Sequence, residues 1–135
     1  MPELSHDGRR FRLEGHRGSA SFADMLRWQF NGERARWPSR IGNVAHPPPP
    51  ARVMGTDLRA TWIGHSTVLI QTAGLNILTD PFLSERASPV SFAGPKRVRP
   101  AALLAHQLPP IDIVLVSHNH YDHMDLPALR QIARH

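Results

Sequence analysis

Three histidines and an aspartate fall within six consecutive residues of the stretch Ser117-His118-Asn119-His120-Tyr121-Asp122-His123. On extended backbone, residues i and i+2 project to the same side, so the imidazoles of His118 and His120 can share one ion. On a helix the same pair would diverge by about 200°, so the stretch is expected as a loop. Asp122 and His123 are adjacent, and once the chain turns past Tyr121 they can face a neighbouring position. A carboxylate with an imidazole is an ordinary half-site for zinc, manganese or iron. The chemistry on offer is hydrolytic. A bound metal lowers the pKa of its water toward about 7 and polarises the oxygen of the bond under attack. Two ions about 3.5–4 Å apart clamp both the attacking and the leaving oxygen. Asp122, which can ligate and also orient the attacking hydroxide, is the candidate catalytic residue.

Such a loop needs a rigid mouth. The run Ile111 to Val116 leads straight into it and is apolar almost without alternation, which predicts a strand buried on both faces. After the loop, Asp125-Leu126-Pro127 opens a helix, with Asp125 as N-cap and Pro127 in the first turn. Leu126, Leu129, Ile132 and Ala133 give it an apolar face, and no stop signal precedes His135. Upstream, Leu58–Ile63, Ser66–Thr72 and Leu75–Thr79 predict three short strands, with turns at Gly64-His65 and Ala73-Gly74 and a stop at Asp80-Pro81. Strands this close form an antiparallel meander. Residues 82–110 carry prolines at 89, 95, 100, 109 and 110 and read as a long irregular connection, with one helical turn within Ala101–Leu108. Its basic centre, Gly94-Pro95-Lys96-Arg97-Val98-Arg99, is either a solvated loop or a wall of the substrate site. In the second case Lys96 and Arg97 would meet a substrate phosphate.

The chain thus divides into an N-terminal arm, residues 1–56, and a folded part, residues 57–135. Residues 1–20 are polar, are interrupted by Gly8, Gly15 and Gly18, and show no apolar period, so they read as a mobile arm. Phe22, Met25, Leu26 and Phe30 follow helical spacing, with Ser19 or Ser21 as cap. This helix either packs on the main domain or lies on a membrane surface, where Arg27, Arg34 and Arg36 with Trp28 and Trp37 suit the interface. His46 and Pro47–Pro50 form a short polyproline strut, a linker lying across a surface or a motif for a partner domain.

The 135 residues suffice for one small domain. With no cysteine, disulfides, thiolate metal sites and a cysteine nucleophile are excluded. No apolar run reaches about 18 residues, so no transmembrane helix is expected, and Met1–Arg17 lacks an apolar leader core. The expected location is the cytoplasm, with peripheral membrane contact. The net charge is +5, and 15 of the 16 basic residues are arginine. That balance suits anionic partners, but the arginines are scattered and no nucleic-acid recognition motif is present, so no nucleic-acid partner is expected.

The spacing His-x-His-x-Asp-His is also the signature of the metallo-β-lactamase superfamily. Thr61-Trp62-Ile63-Gly64-His65-Ser66-Thr67-Val68-Leu69-Ile70, Asn76-Ile77-Leu78-Thr79-Asp80-Pro81, Arg86-Ala87-Ser88-Pro89, Gly94-Pro95-Lys96-Arg97 and Leu108-Pro109-Pro110-Ile111-Asp112 accompany it. Together, over residues 57–134, they resemble the branch of phospholipases D that hydrolyse N-acylphosphatidylethanolamine. The resemblance implies an α/β fold, the αββα sandwich, with its metal site at the strand ends. It implies Zn2+, two ions in a complete homologue, with Mn2+ or Fe2+ as alternatives. His118 and His120 would hold the first ion, and Asp122 and His123 the second. Asp80 would stand behind them and steady the loop, since ligating histidines need an acceptor on the other ring nitrogen. His65 is not a ligand position in the pattern and reads as a structural hydrogen-bonding residue, with a direct role near the site as the alternative. The implied substrate is a lipid phosphodiester. Superfamily members add a histidine to the first ion, a bridging aspartate, and a histidine to the second ion, all downstream. Only Met124 to His135 follow the motif here. The expectation is therefore the first half of the fold: a truncated product, a fragment, or one piece of a two-chain enzyme. A second copy or a complementing C-terminal half would cover its sheet, and the alternative function is a non-catalytic metal-binding half-domain.

Overall fold

The computed structural model describes residues 4–6, 8, 11–13, 21–31, 36, 38–43 and 47–134. Ser19, Arg34, Trp37, His46 and His135, which entered the expectations above, lie outside the described residues. The chain forms two compact units, Met1–Arg36 and Trp37–His135.

In the first unit, β1 (Leu4–His6) and β2 (Phe11–Leu13) pair antiparallel, with His6 opposite Phe11. The reading of residues 1–20 as a polar arm without an apolar period does not include this pairing. Strands of three residues are too short to show a period of two, and Gly8, at φ 87°, supplies a left-handed residue between them. Helix α1 (Phe22–Asn31) forms where the spacing predicts it. Ser21 caps it reciprocally: its Oγ accepts from Asp24 N at 3.2 Å, and Asp24 Oδ2 accepts from Ser21 N at 3.0 Å.

The second unit is built on a four-stranded sheet, in the order β3 (Leu58–Gly64), β4 (Thr67–Thr72), β5 (Leu75–Thr79) and β6 (Ile113–Leu115). The first three strands form the expected antiparallel meander, and β6 runs parallel to β5. Ala73 and Gly74, at φ 49° and 77°, close the β4–β5 hairpin, since two left-handed residues match the twist of the flanking strands. Opposed residues share a face. Thr61, Leu69, Leu78 and Val114 line up on one side, and Ala60, Ile70, Ile77 and Ile113 on the other. The first face carries the core: Ile63, Leu69 and Leu78 are fully buried, with Ala101, Leu83, Leu108, Ile111 and Ile132 packed against them. Burial of each large aliphatic side chain contributes roughly 1.5–3 kcal/mol.

β6 differs from its prediction. It spans three residues rather than six, and it is not buried on both faces: Ile113 and Leu115 are 39% and 53% exposed. The mostly apolar run reflects two apolar sheet faces, of which, among the described residues, one is covered by the 82–111 connection and α2 (Leu126–Ile132). The expected helical turn is a 3-10 turn at Ala105–Gln107. Asp125 is the N-cap of helix α2, as the sequence predicts, but the helix ends at Ile132 with Ala133 as C-cap rather than running on toward the last residue.

Residues 50–53 are bound to the β4–β5 end of the sheet. Pro50 O accepts from Gln71 Nε2 at 2.8 Å, Ala51 O from Asn76 Nδ2 at 2.9 Å, and Val53 O from Gly74 N at 2.8 Å. These bonds tie residues 50–53 to the sheet within the second unit, Trp37–His135.

Candidate metal centre

Because β5 and β6 are parallel, their C-terminal ends open at the same edge of the sheet. The residues just beyond those ends build the site. Asp80 N donates to Leu115 O at 2.8 Å, extending the ladder by one bond past β5. Asp80 then adopts φ 36°, a left-handed conformation that turns its side chain out of the strand alternation. Thr67 Oγ1 donates to its carbonyl at 2.7 Å and holds that turn.

The buried Asp80 carboxylate has three partners. Its Oδ1 accepts from Ser117 N at 2.7 Å, and its Oδ2 accepts from Ser117 Oγ and from His123 Nδ1, each at 2.9 Å. Burial alone would raise its pKa. The Ser117 N–H, His123 and the Ser117 hydroxyl outweigh that and hold it below the ordinary carboxylate value. An ionised carboxylate only accepts, so the proton between Asp80 and His123 sits on Nδ1. The lone pair of His123 is therefore on Nε2, facing away from Asp80.

The other imidazoles gather around this ring. His118 lies with its ring centre 4.0 Å from His123 and 4.5 Å from His120. His118 Nδ1 is 2.9 Å from Ser117 Oγ, which leaves its Nε2 outward. The chain turns after His120, whose carbonyl accepts from His123 N at 3.0 Å and Met124 N at 2.7 Å. That turn brings Asp122 back toward His123, with Asp122 Oδ2 3.7 Å from His123 Nε2. His65, from the left-handed β3–β4 turn, reaches the same carboxylate: its Nε2 is 3.0 Å from Asp122 Oδ2. Burial works against the charge on Asp122, but its own backbone N–H, His123 and His65 prevail and hold its pKa below the usual range.

Of the sequence candidates, Asp80, Asp122 and His123 are in close contact, and the His118 ring lies beside those of His123 and His120; among the described residues the potential ligand atoms that lie within 4.8 Å of one another are those of His65, Asp122 and His123. Their donors are borderline nitrogens and a carboxylate oxygen, with one tautomer fixed by a buried carboxylate, and this set fits a zinc-, manganese- or iron-type ion. Lys96 and Arg97 stand to one side, in a cavity of about 310 Å3 that also touches His65, Phe82, Arg99 and Asp122. Arg97 is not a free phosphate clamp. Its Nε donates to Ser84 O at 3.0 Å, a terminal nitrogen donates to Phe82 O, and its guanidinium lies 4.2 Å over the Phe82 ring. Burial lowers its pKa, against the pull of the Asp125 charge. Lys96 Nζ is 3.4 Å from Glu85. Ser117 and Arg99 belong to stretches named in the sequence but are given no role of their own there. The Ser117 hydroxyl had a local signal, its place directly before the first histidine, whereas Arg99 joins the cavity through the fold of the loop.

The beta-lactamase superfamily domain matches residues 59–135. An N-acyl-phosphatidylethanolamine-hydrolyzing phospholipase D of Caenorhabditis elegans is 51% identical over 75 residues, 56% of this chain and 21% of that protein. The mitochondrial N-acyl-phosphatidylethanolamine-hydrolyzing phospholipase D of Saccharomyces cerevisiae is 44% identical over 69 residues, 51% of this chain and 14% of that protein. A metal-dependent hydrolase of Methanopyrus kandleri is 37% identical over 67 residues, 50% of this chain and 24% of that protein. The matches cover roughly a seventh to a quarter of these curated relatives. They support the phospholipase D branch read from the motifs, and the four-stranded mixed sheet with its flanking helix is consistent with the first half of the sandwich. With more than half its length matched, this chain belongs to the beta-lactamase superfamily domain family.

Proposed function

We propose that this chain is the metal-binding portion of a metal-dependent hydrolase that takes zinc and cleaves a phosphodiester of N-acylphosphatidylethanolamine-like lipids. The observation that carries the reading is the Asp80–His123 bond, because it presents Nε2 of His123 beside Asp122 within a cluster of three imidazoles. His118 and His120 would hold one ion, and Asp122 and His123 another. A bound divalent ion supplies an acidified water and polarises the scissile bond. The chain's own part is to position and to hold charge. Asp80 and Ser117 fix the loop, Asp122 accepts a hydrogen bond from the attacking water, and the cavity walled by Lys96, Arg97 and Arg99 favours a phosphate-bearing substrate. Support for the lipid comes from the two phospholipase D relatives, and for metal dependence from the archaeal hydrolase.

Peripheral contact with a membrane from the cytoplasmic side belongs to the same proposal. Phe22, Trp28 and Phe30 on α1 are exposed beside Arg27, and among the described residues no helix is long and apolar enough to cross a membrane. Ile113 and Leu115 mark the sheet face that a second copy or a complementing half would cover.

The test is zinc- or manganese-dependent hydrolysis of a phosphodiester lipid by the purified chain beside His118→Ala. Turnover that requires His118 supports the proposal. Metal binding with turnover no higher than in the variant assigns the chain to metal binding without catalysis.

A further inference from the structure

His65, like Asp80, reaches the metal centre from outside the histidine loop, and its Nε2 meets the Asp122 carboxylate at 3.0 Å. We propose that His65 is a third protein donor to the ion held by Asp122 and His123. The inference rests on the proposed metal centre and extends it to a residue that the sequence pattern treats as structural.

Among the described residues, His65, Asp122 and His123 place one ligand atom each within 4.8 Å of one another. Asp122 Oδ2 sits 3.0 Å from His65 Nε2 and 3.7 Å from His123 Nε2. Metal–ligand bonds of 2.0–2.1 Å in a tetrahedron set neighbouring donors about 3.3 Å apart, so these separations bracket the required edge. The third edge, between His65 and His123, lies within 4.8 Å.

The independent support is the orientation of both rings. Asp80 holds His123 by Nδ1, which aims Nε2 at Asp122. The His65 backbone is held at φ 52°, and Trp62 Nε1 donates to its carbonyl at 2.9 Å. The His65 ring meets Phe82 edge-on at 5.9 Å and His123 at 5.4 Å, so it is bracketed on two sides. Without metal, His65 Nε2–H donates to the Asp122 carboxylate, which can only accept. For His65 to bind the ion through Nε2, the neutral ring must take its other tautomer: the Nε2 proton is released to water and Nδ1 takes one up from water, which frees the Nε2 lone pair. His65 thus changes from a donor toward Asp122 to a donor of electrons toward the ion.

The experiment follows the imidazole nitrogens of the 15N-labelled chain by long-range 1H–15N spectra during titration with zinc. The expected result is a shift of His65 Nε2 in step with His123 Nε2. His65→Gln keeps an amide that can hydrogen-bond Asp122 but is a poor zinc ligand, and His65→Asn tolerates the left-handed backbone. Both are expected to weaken zinc at this site by at least about 100-fold in calorimetry, the upper end of what loss of an outer-shell partner costs. If His123 shifts while His65 Nε2 does not, or if His65→Gln binds zinc as tightly as the unaltered chain, the inference is overturned and the metal centre stands. If no imidazole shifts at all, the metal centre falls and the inference with it.

Discussion

Asp80 joins the end of β5 to the histidine loop through one carboxylate. It accepts the Ser117 N–H, the Ser117 hydroxyl and His123 Nδ1–H. Asp80→Asn tests this residue without disturbing its left-handed backbone, which asparagine also tolerates. One acceptor oxygen becomes an NH2 group, so either the Ser117 side or the His123 side loses its bond. Stability should fall by roughly 1–3 kcal/mol, read by urea unfolding. Zinc affinity should fall about 10–100-fold, read by calorimetry, because His123 is no longer held in one tautomer. The four ligand-type residues were legible from spacing alone, and Asp80 was legible only through the resemblance. Nothing local in Asp80-Pro81 says that its side chain faces His123, 43 positions away.

The loop is tied at its other end by helix α2. Asp125 caps the helix through Oδ1, which accepts from Ala128 N at 3.1 Å. Its Oδ2 accepts from Leu83 N at 3.0 Å and Ser84 N at 2.7 Å, so one buried side chain fastens the helix start to the segment after β5. Asp125→Ala removes a cap, worth about 1 kcal/mol, and strands two further N–H groups at about 1–3 kcal/mol each. Water reaching part of the site will soften the second cost, and a net loss of about 3 kcal/mol in urea unfolding is expected. A fall within the roughly 1 kcal/mol of an ordinary cap would show that the bonds to Leu83 and Ser84 carry little. The cap itself was readable in Asp125-Leu126-Pro127. The length and burial of β6 were not, because an apolar run reports that both faces are apolar and not whether both are covered.

At the scale of the molecule, Asp112 holds the segment before the meander to the sheet. Its carboxylate pairs with Arg52 and accepts from Asn76 N at 2.7 Å. The hydrogen bond from Arg52, then that from Asn76, holds its pKa below the ordinary carboxylate value against a smaller effect of burial. A depressed pKa gives stability that is fully present above the unfolded value, about 3.9, and is lost as pH falls through the folded value. The urea midpoint should therefore drop below about pH 4, and Asp112→Asn should be less stable at neutral pH with a shallower acid limb. Equal acid limbs in the two proteins would remove Asp112 from the account.

What the sequence by itself determined is what short-range physics controls. Alternating β-branched residues and left-handed turn residues set the meander, a side-chain cap set α2, and the i, i+2 spacing set a loop able to present two imidazoles to one ion. The short hairpin of the first unit escaped because three-residue strands carry no period. Tertiary structure alone decided the pairings of His65 with Asp122, Asp80 with His123, and Arg52 with Asp112, at separations of 57, 43 and 60 residues. Those contacts follow from strand register and from the parallel docking of β6 on β5, and register is a property of paired strands that no single segment encodes.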